Sequence, residues 1–298
     1  MLTYLDISDI KGATIGSATG VNALYLGSNL IYTSATYDAA TIALLARMAV
    51  QPSQALAELI DKTIIDLKAA GLWDITDKLH KWDLHTEQAS LLDWKNATHN
   101  ALIGAGTPIF TPKYGVQTKG LEQASEVDRS WIDLNFTPST DCEYGSLNSI
   151  GFSLDDLVGT TITSYNFGAK TTANTAFLMF RTKESDAVAR PWMFANGITA
   201  RVYNGASGIK LFYCERQTSS TVSLWKDPLT QVVGTGNNSV AMINQKLVLG
   251  GYREYNGGVN RYGISTSTFW LGASMTNEQR IAWWDIINYW KANVGSTF

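Results

Sequence analysis

The sequence predicts a mainly β fold, a sandwich or jelly roll, from three observations. Aromatic residues make up 11% of the 298 residues, and aromatic and β-branched residues are the types that strands favour. Glycine occurs 25 times and proline only 6 times, so Gly, Asn and Ser separate most of the apolar runs. Between residues 100 and 273 these runs are short and recur at roughly 8–12 residues, which favours a sandwich over a parallel sheet.

Composition excludes several classes of protein. Hydrophobic residues are 45% and charged residues 16% of the chain, as expected of a folded domain. A net charge of −3, from 23 basic and 26 acidic residues, argues against a nucleic-acid partner, which needs a basic face. No apolar run is long enough for membrane insertion, and residues 1–6 do not resemble a signal peptide. Cys142 and Cys214 are too few for a disulfide framework or a four-thiolate zinc site.

Residues 1–34 are predicted to contain a hairpin. Apolar runs at residues 21–26 and 30–32 flank the loop Gly27-Ser28-Asn29, as in a short β-hairpin. Because an isolated hairpin is marginally stable in water, we expect this one to pack on the rest of the chain, a sister subunit or a larger assembly.

Residues 35–99 are predicted to form a helical segment. Pro52 suits the first turn of a helix and Gly71 suits its end. Between them, five apolar residues recur at spacings of three and four and form one stripe of a helix: Leu56, Leu59, Ile60, Ile64 and Leu67. A shorter helix at residues 37–48 and a third at residues 76–94 are expected on either side.

Residues 100–298 are predicted to form the sandwich. Ile132, Leu134 and Phe136 alternate with polar residues, which gives a strand one buried and one exposed face. Asn196-Gly197 separates two apolar runs within residues 192–203, and this dipeptide is typical of a two-residue hairpin turn. Further strands are predicted at 162–167, 177–180, 211–214, 222–225, 247–249 and 269–271.

A last helix closes the predicted sandwich. Thr276 and Gln279 have the spacing of a capping box, and Gly295 is a plausible stop. Trp283 and Trp284 point about 100° apart on a helix. Either one of them contacts another subunit or the helical segment, or the helix has a broad packing face on the sandwich, which is the interpretation that we favour.

Three segments of the chain resemble phage virion proteins. Residues 23–29, ALYLGSN, resemble a hairpin near the start of many tail and fibre proteins. Residues 52–94, with LKAAGLW and EQASLLDW, resemble the helical lead-in of a virion domain, and residues 246–290, with LVLG, FWLGA and MTNEQ, resemble its close. The family is the concanavalin A-like, laminin G-like jelly roll of phage fibre and receptor-binding proteins. Residues 137–245 match it only as a rhythm of strands.

The resemblance implies a structural virion protein at the tail or capsid surface, of the tail-fibre or receptor-binding type and commonly a homotrimer. The hairpin in residues 1–34 would attach it to other virion proteins, and the jelly roll would bind host-surface glycan without enzymatic activity. The alternative is a head-fibre or capsid decoration protein with no essential ligand, and a weaker alternative is a polysaccharide hydrolase. No cofactor is implied. Fold alone does not assign an activity, because this class includes lectins, glycosidases and scaffolds.

One loop has the composition of a sugar site, in which aromatic rings stack on pyranose faces and polar groups bond the hydroxyls. It spans residues 252–262, and its candidate glycan contacts are Tyr252, Arg253, Tyr255, Asn256, Asn260 and Tyr262. The more ordinary interpretation is a polar connection whose tyrosines lie on the sandwich. Trp192 and Trp225 could also be partly exposed, but tryptophan in a strand is more often core.

Candidate catalytic groups are weaker. Glycosidases of this broad fold place three carboxylates at alternate positions of one strand, and the nearest match is Glu126, Asp128 and Ser130, whose third position is not acidic. A solvated strand edge is the favoured interpretation. His80 and His85 lie five residues apart, which does not place them on one helix face, and His85 is expected to make a polar contact in the helical segment. We predict no catalytic residue and no metal ligand. The sequence has no dense Asp-rich run of the kind that binds calcium, and it does not decide whether the middle strands bind a calcium ion.

Overall fold

The structure is a computed structural model. It describes residues 23–26, 29–33, 37–119, 129–156, 164–173, 175–183, 188–195, 202–203, 210–225, 227–235, 241–261 and 264–297. The fold is mainly β, a jelly-roll sandwich of two facing sheets with helices on one outer side, and the predicted fold class is confirmed.

The described residues contain twenty strands and five α-helices. The strands of the first half are β1 (Ala23–Leu26), β2 (Asn29–Thr33), β3 (Thr76–Lys81), β4 (Leu102–Ala105), β5 (Ile109–Thr111), β6 (Gly115–Thr118), β7 (Trp131–Asp133), β8 (Ile150–Asp156), β9 (Ser164–Lys170) and β10 (Phe177–Lys183). Those of the second half are β11 (Val188–Ala195), β12 (Val202–Tyr203), β13 (Lys210–Arg216), β14 (Thr221–Trp225), β15 (Gln231–Thr235), β16 (Val248–Leu249), β17 (Gly251–Arg253), β18 (Val259–Arg261), β19 (Ile264–Thr266) and β20 (Thr268–Gly272). The helices are α1 (Ala39–Leu45), α2 (Gln54–Ala69), α3 (Glu87–Ser90), α4 (Pro138–Asp141) and α5 (Asn277–Val294).

Two large sheets form the sandwich. One has nine strands, seven of them in the order β12-β11-β10-β9-β16-β7-β4, and β17 joins it by pairing with β9 and with β18. The other has six strands in the order β15-β14-β13-β8-β20-β3. Their paired strands are antiparallel except β17 and β9, which are parallel at Arg253 and Ala169. A smaller sheet has the order β19-β6-β5.

Phenylalanine rings fill the space between the two large sheets. Phe152 of the six-stranded sheet lies 4.6 Å (ring centroids) from Phe167 of the nine-stranded sheet. Phe212 and Phe269 of the six-stranded sheet lie 5.3 Å from Phe180 and Phe167. All five are fully buried or nearly so, so this cross-sheet contact is the core that the alternating apolar pattern requires.

The six-stranded sheet has a second apolar face, and this face is covered by helices. On β20, Phe269 and Leu271 enter the sandwich core, while Trp270 between them joins the core of the helical layer. The Trp283 indole of α5 donates a hydrogen bond of 2.9 Å to Ser153 Oγ on the outer face of β8. The period-two alternation of these strands therefore supports three layers: helices, six-stranded sheet and nine-stranded sheet.

Helix α2 is confirmed where the apolar stripe predicts it. Ser53 caps its first turn, with Oγ accepting a hydrogen bond from the Leu56 N–H. All five residues of the stripe are buried: Leu56, Leu59, Ile60, Ile64 and Leu67. Helix α1 lies within the range predicted for the shorter helix.

The predicted helix at residues 76–94 is wrong. Residues 76–81 form β3, which pairs with β20 so that Leu79 lies opposite Trp270, and only the short α3 is helical in the remainder. Lys78 is fully buried, and its ammonium lies 3.0 Å from the Asp93 carboxylate. The pairing of β3 with β20 and the burial of this segment override its local helical spacing.

The two strands of the N-terminal hairpin are confirmed: β1 and β2 are antiparallel, with Leu26 opposite Asn29. Cα atoms of β2 lie within 8 Å of Cα atoms of α2. The divisions at 34/35 and 99/100 stay predictions, although β3, from the expected helical segment, belongs to a sheet of the sandwich.

Helix α5 has the predicted capping box, with the Thr276 and Gln279 side chains each accepting from the other's backbone N–H. Gly295 is its C-cap residue. Trp283 and Trp284 are both buried within this chain, because α5 packs between the sheet and α2. Helix α5 therefore packs on the helical segment as well as on the sandwich, so the favoured interpretation, a packing face on the sandwich alone, is only partly right.

The predicted strands at 177–180, 211–214, 222–225 and 269–271 fall within β10, β13, β14 and β20. Those predicted at 132–136, 162–167 and 247–249 overlap β7, β9 and β16 only in part. β11 and β12 are antiparallel, with Val188 opposite Tyr203, while the turn Asn196-Gly197 and Ile162 lie outside the described residues. In the part of the chain that the structure describes, no helix combines the length and the hydropathy that crossing a bilayer would require.

Candidate functional site

The candidate glycan residues lie on the hairpin of β17 and β18. Tyr252 is on β17 and Asn260, directly opposite, is on β18. The turn between them is closed by the Glu254 N–H, which donates to the Gly258 carbonyl at 2.7 Å. Gly257 has a φ of +87°, a left-handed conformation that favours glycine. The sequence thus forms a tight hairpin here instead of an irregular loop.

Arg253 is held by three groups of neighbouring segments. Its Nη2 lies 2.8 Å from Asp133 Oδ2 on β7, and its Nε donates to the Lys246 carbonyl at 3.1 Å. The guanidinium carbon lies 5.3 Å from the ring centroid of Trp131, which is within cation–π range. Arg253 therefore fixes the end of β17 to the nine-stranded sheet.

Glu254 makes a second set of contacts. Its carboxylate lies 2.7 Å from Lys170 Nζ on β9 and accepts a hydrogen bond from the Asn260 amide. The Lys170 ammonium also lies 5.0 Å from the Tyr252 ring centroid. Burial raises the pKa of Glu254, but hydrogen bonds from Lys170, Tyr252 and Asn260 outweigh it and lower this pKa below its ordinary value. Glu254 is therefore ionised at neutral pH.

The hairpin tip is where the side chains meet solvent. Tyr255 is 49% exposed, and Asn256 is exposed with its Oδ1 accepting from the Gly258 N–H. Tyr252, Arg253 and Asn260 are half-buried, and Tyr262 lies outside the described residues. The arrangement offers an aromatic face and amide groups on a fixed turn, which suits stacking and hydrogen bonding.

Sequence reasoning missed the partners that hold this hairpin. Trp131 and Asp133 of β7 and Lys170 of β9 lie more than eighty residues before it in the chain. One signal could have found the first two: they alternate with the buried Ile132 and must therefore face away from the sandwich core. Their contact with residue 253 depends on strand order, which the sequence pattern does not contain.

Of the other sequence candidates, the two that the structure describes, Ser130 and Trp225, are buried. Glu126, Asp128 and the Trp192 side chain lie outside the described residues. Ser130, the third position of that pattern, is buried, and its Oγ accepts from the Lys119 N–H at 2.9 Å. Trp225 is buried under Arg280, whose guanidinium carbon lies 3.3 Å from its ring centroid, so its assignment to the core is confirmed.

The histidines are packed into the structure. His80 is fully buried and stacks on Trp82 at 4.5 Å, and burial lowers its pKa well below the ordinary value. His85 Nε2 lies 2.8 Å from the Val50 carbonyl, which confirms the expected polar contact. His99 packs edge-on against Phe136. No group of three His, Cys, Asp or Glu side chains suited to a metal ion occurs among the residues that the structure describes.

A buried ionic cluster lies between the six-stranded sheet and α5, and the segments that form it are too far apart in the sequence for a local pattern to predict it. It contains Lys81, Asp83, Asp155 and Lys291. The first three are almost completely buried, and Asp155 is bonded to hydroxyls and N–H groups of residues 266–268. The three buried groups pair with one another and with α5, so the cluster links β3 and β8 to that helix.

No family model matches the chain, and no curated protein matches it. Among solved structures, domain 4 of a GH43 extracellular arabinanase from Geobacillus stearothermophilus, in complex with arabinotriose, aligns at 14% identity and a TM-score of 0.44, covering 71% of this chain and 98% of that one. A Trypanosoma rangeli sialidase mutant displaying trans-sialidase activity aligns at 11% identity and a TM-score of 0.49, covering 78% and 39%. The binding domain of botulinum neurotoxin DC, in complex with rat synaptotagmin II, aligns at 11% and 0.48, covering 72% and 52%. At these identities and scores the similarity carries no argument about ligands.

Proposed function

We propose that this chain is a non-enzymatic glycan-binding sandwich and that the β17–β18 hairpin carries the contact. The observation that supports this proposal best is the exposed Tyr255 at the tip of a hairpin held by two ion pairs, Arg253–Asp133 and Lys170–Glu254. A fixed tip loses little conformational entropy when it binds, and preorganisation of this kind raises affinity.

The proposed contact uses the exposed groups of the tip. The ring of Tyr255 stacks on the apolar face of a sugar, and the exposed amide of Asn256 bonds its hydroxyls. A site this small and this open binds one sugar weakly, so several copies acting together are needed for useful affinity.

The charges of the hairpin favour binding over hydrolysis. Glycosidases of the two-carboxylate type need one carboxylic acid whose raised pKa keeps it protonated. Glu254 has a lowered pKa and pairs with Lys170, and Asp133 pairs with Arg253. Glu254 is therefore not suited to donate a proton at neutral pH. The hydrolase alternative rests on Glu126 and Asp128 alone, and we expect the purified protein to release no reducing sugar.

The first prediction concerns Tyr255. In Tyr255→Ala, binding to an array of immobilised bacterial surface oligosaccharides should fall about fivefold to tenfold, because a stacked ring contributes on the order of 1 kcal/mol. Tyr114→Ala is the matched control: Tyr114 is also exposed, at 62%, but follows β5 in the three-stranded sheet. Equal binding by the parent protein and Tyr255→Ala would reject the hairpin as the glycan contact.

The second prediction concerns location. Supported by the resemblance of residues 23–29, 52–94 and 246–290 to phage fibre proteins, we propose that the chain is a tail-fibre or receptor-binding virion protein. Gold-labelled antibody on purified virions, viewed by electron microscopy, should label the tail tip. Label on the capsid would instead support the head-fibre or decoration alternative, and unlabelled particles would contradict both.

A further inference from the structure

We infer that Asp133 and Trp131 of β7 are positioning residues that set the orientation of the β17–β18 tip. The inference rests on the proposed glycan function. It adds two residues that do not contact the sugar and that lie about 120 residues earlier in the chain than the tip.

The hairpin has little backbone attachment of its own to the nine-stranded sheet. Among the described residues, β17 pairs with the rest of the sheet at one position, Arg253 opposite Ala169 of β9. The other backbone pairs of β17 are with β18, inside the hairpin. One pair fixes a point on a strand but not the direction of the turn beyond it, so side chains must supply the remaining constraint.

On the β7 side, the guanidinium group of Arg253 supplies that constraint. Nη2 lies 2.8 Å from Asp133 Oδ2, and Nε donates to the Lys246 carbonyl. The side chains of Arg253 and Asp133 are 17% and 15% exposed, so solvent screens the pair only in part. A planar guanidinium bonded at two of its edges cannot rotate freely, and Arg253 is the last residue of β17 before the turn.

Trp131 holds the guanidinium from a second direction. It is nearly buried, and the guanidinium carbon lies 5.3 Å from its ring centroid. The ring in turn lies against Gly104 of β4, where an added Cβ would come within 2.2 Å of ring atoms. Glycine at residue 104 is thus a steric requirement for this position of the Trp131 ring.

Lys170 provides the opposing anchor. Its Nζ, on β9, lies 2.7 Å from the Glu254 carboxylate. Asp133, on β7, pairs with the preceding residue, Arg253. Two successive residues of the hairpin are therefore held from two different strands, and the tip begins directly after them. Removal of either anchor leaves the turn held by the other and by the Gln245 Nε2 hydrogen bond to the Glu254 carbonyl, so the turn loosens without detaching.

The third prediction tests this inference with Asp133→Asn, which keeps the side-chain size and removes the charge. Hydrogen exchange of the turn amides of Glu254 and Gly257 should quicken about fivefold, and binding to the oligosaccharide array should weaken by about the same factor, as expected for a partly shielded ion pair. Gly104→Ala should act in the same direction by displacing Trp131. Asp66→Asn is the control, since it breaks the exposed pair of Asp66 with Lys62 on α2.

A double-variant cycle separates positioning from general destabilisation. If Asp133 acts through the tip, Asp133→Asn should weaken binding much less in a Tyr255→Ala background than in the parent protein. A general loss of stability would lower binding equally in both backgrounds. Unchanged exchange at residues 254 and 257 in both Asp133→Asn and Gly104→Ala would overturn the inference. Absence of array binding by the parent protein would reject the proposed function, while the exchange result would still decide whether the tip is positioned.

Discussion

Buried charges are the least ordinary feature of this molecule at the scale of single residues. Asp155 has a fully buried side chain and lies 2.9 Å from Lys291, whose side chain is 24% exposed. Burial raises the pKa of Asp155, but Lys291, Lys81 and hydroxyl hydrogen bonds outweigh it and lower this pKa to about 2. Burial lowers the pKa of Lys81 to about 8. A buried ion is tolerated only where partners replace its water, and here Asp155 has several partners.

The fourth prediction follows from the Asp155 pKa. This pKa is 3.8 for an ordinary Asp and about 2 in the folded chain, so the folded state binds fewer protons between these values. The resulting stabilisation, about 2 kcal/mol, is fully present above pH 4 and is lost as the pH falls through 2. Lys291→Met should raise the Asp155 pKa, lower stability at pH 7 by about 2 kcal/mol and move acid unfolding to higher pH.

Urea unfolding between pH 7 and pH 2.5 checks this prediction. Lys62→Met is the matched control, because Lys62 pairs with Asp66 on the exposed side of α2, and its effect should stay within about 0.5 kcal/mol. An acid-unfolding midpoint of Lys291→Met that equals the parent's would show that Lys291 does not hold the Asp155 carboxylate ionised.

At the scale of elements, β3 shows how a polar segment becomes an edge strand. Asp77 accepts three N–H groups from residues 143–145 at 2.7–2.8 Å, and Lys78 pairs with Asp93. Burial raises the pKa of Asp77, although these three N–H groups oppose that shift. Loops therefore cover this edge of the six-stranded sheet, and a covered edge does not recruit strands from other chains.

Helix α5 is the element that joins the layers. Its capping box begins the helix shortly after the last strand, β20. The Trp283 indole donates a hydrogen bond to Ser153 on the six-stranded sheet. On the same helix, the Trp290 indole donates to Asp83 at 2.7 Å, while the neighbouring α2 covers another side. A helix packed on two sides can bury adjacent tryptophans that a single stripe could not.

For the whole molecule, the helices cover the outer face of the six-stranded sheet, and the candidate glycan hairpin belongs to the nine-stranded sheet on the opposite side. β2 of the N-terminal hairpin lies beside α2, that is, in the helical layer. The N-terminal hairpin and the glycan hairpin therefore belong to different layers, so attachment through the first leaves the second uncovered, as the proposed adhesin requires.

The fifth prediction is a homotrimer. Fibre proteins of the family that the sequence resembles are commonly trimeric, and closed symmetry is usual for oligomers. Three copies would also multiply weak sugar contacts into avidity. Light scattering coupled to size-exclusion chromatography should give about 98 kDa, three times 32.6 kDa. A monomer mass of 32.6 kDa across a concentration series would contradict the trimer.

The patterns that the sequence predicted correctly are those whose partners are close along the chain. The capping box of Thr276 and Gln279 spans four residues, and the stripe of α2 spans twelve. A capping box depends on the backbone groups at one end of a helix, and an apolar stripe depends on one face of a helix. Both therefore form within a few helical turns. The Asp133–Arg253 pair joins residues 120 apart, and only the order β9-β16-β7 brings them together.

The sequence by itself determined the mainly β class and the closing helix, because alternation and capping residues encode these locally, whereas the segment that carries Tyr255 was predicted only as a loop. The tertiary structure alone decided that residues 76–81 are a strand, that Asp155 and Lys291 meet, and that Trp131 and Asp133 hold Arg253. Each of these depends on which distant segment lies alongside, and burial against that segment outweighs the local propensity of the residues involved.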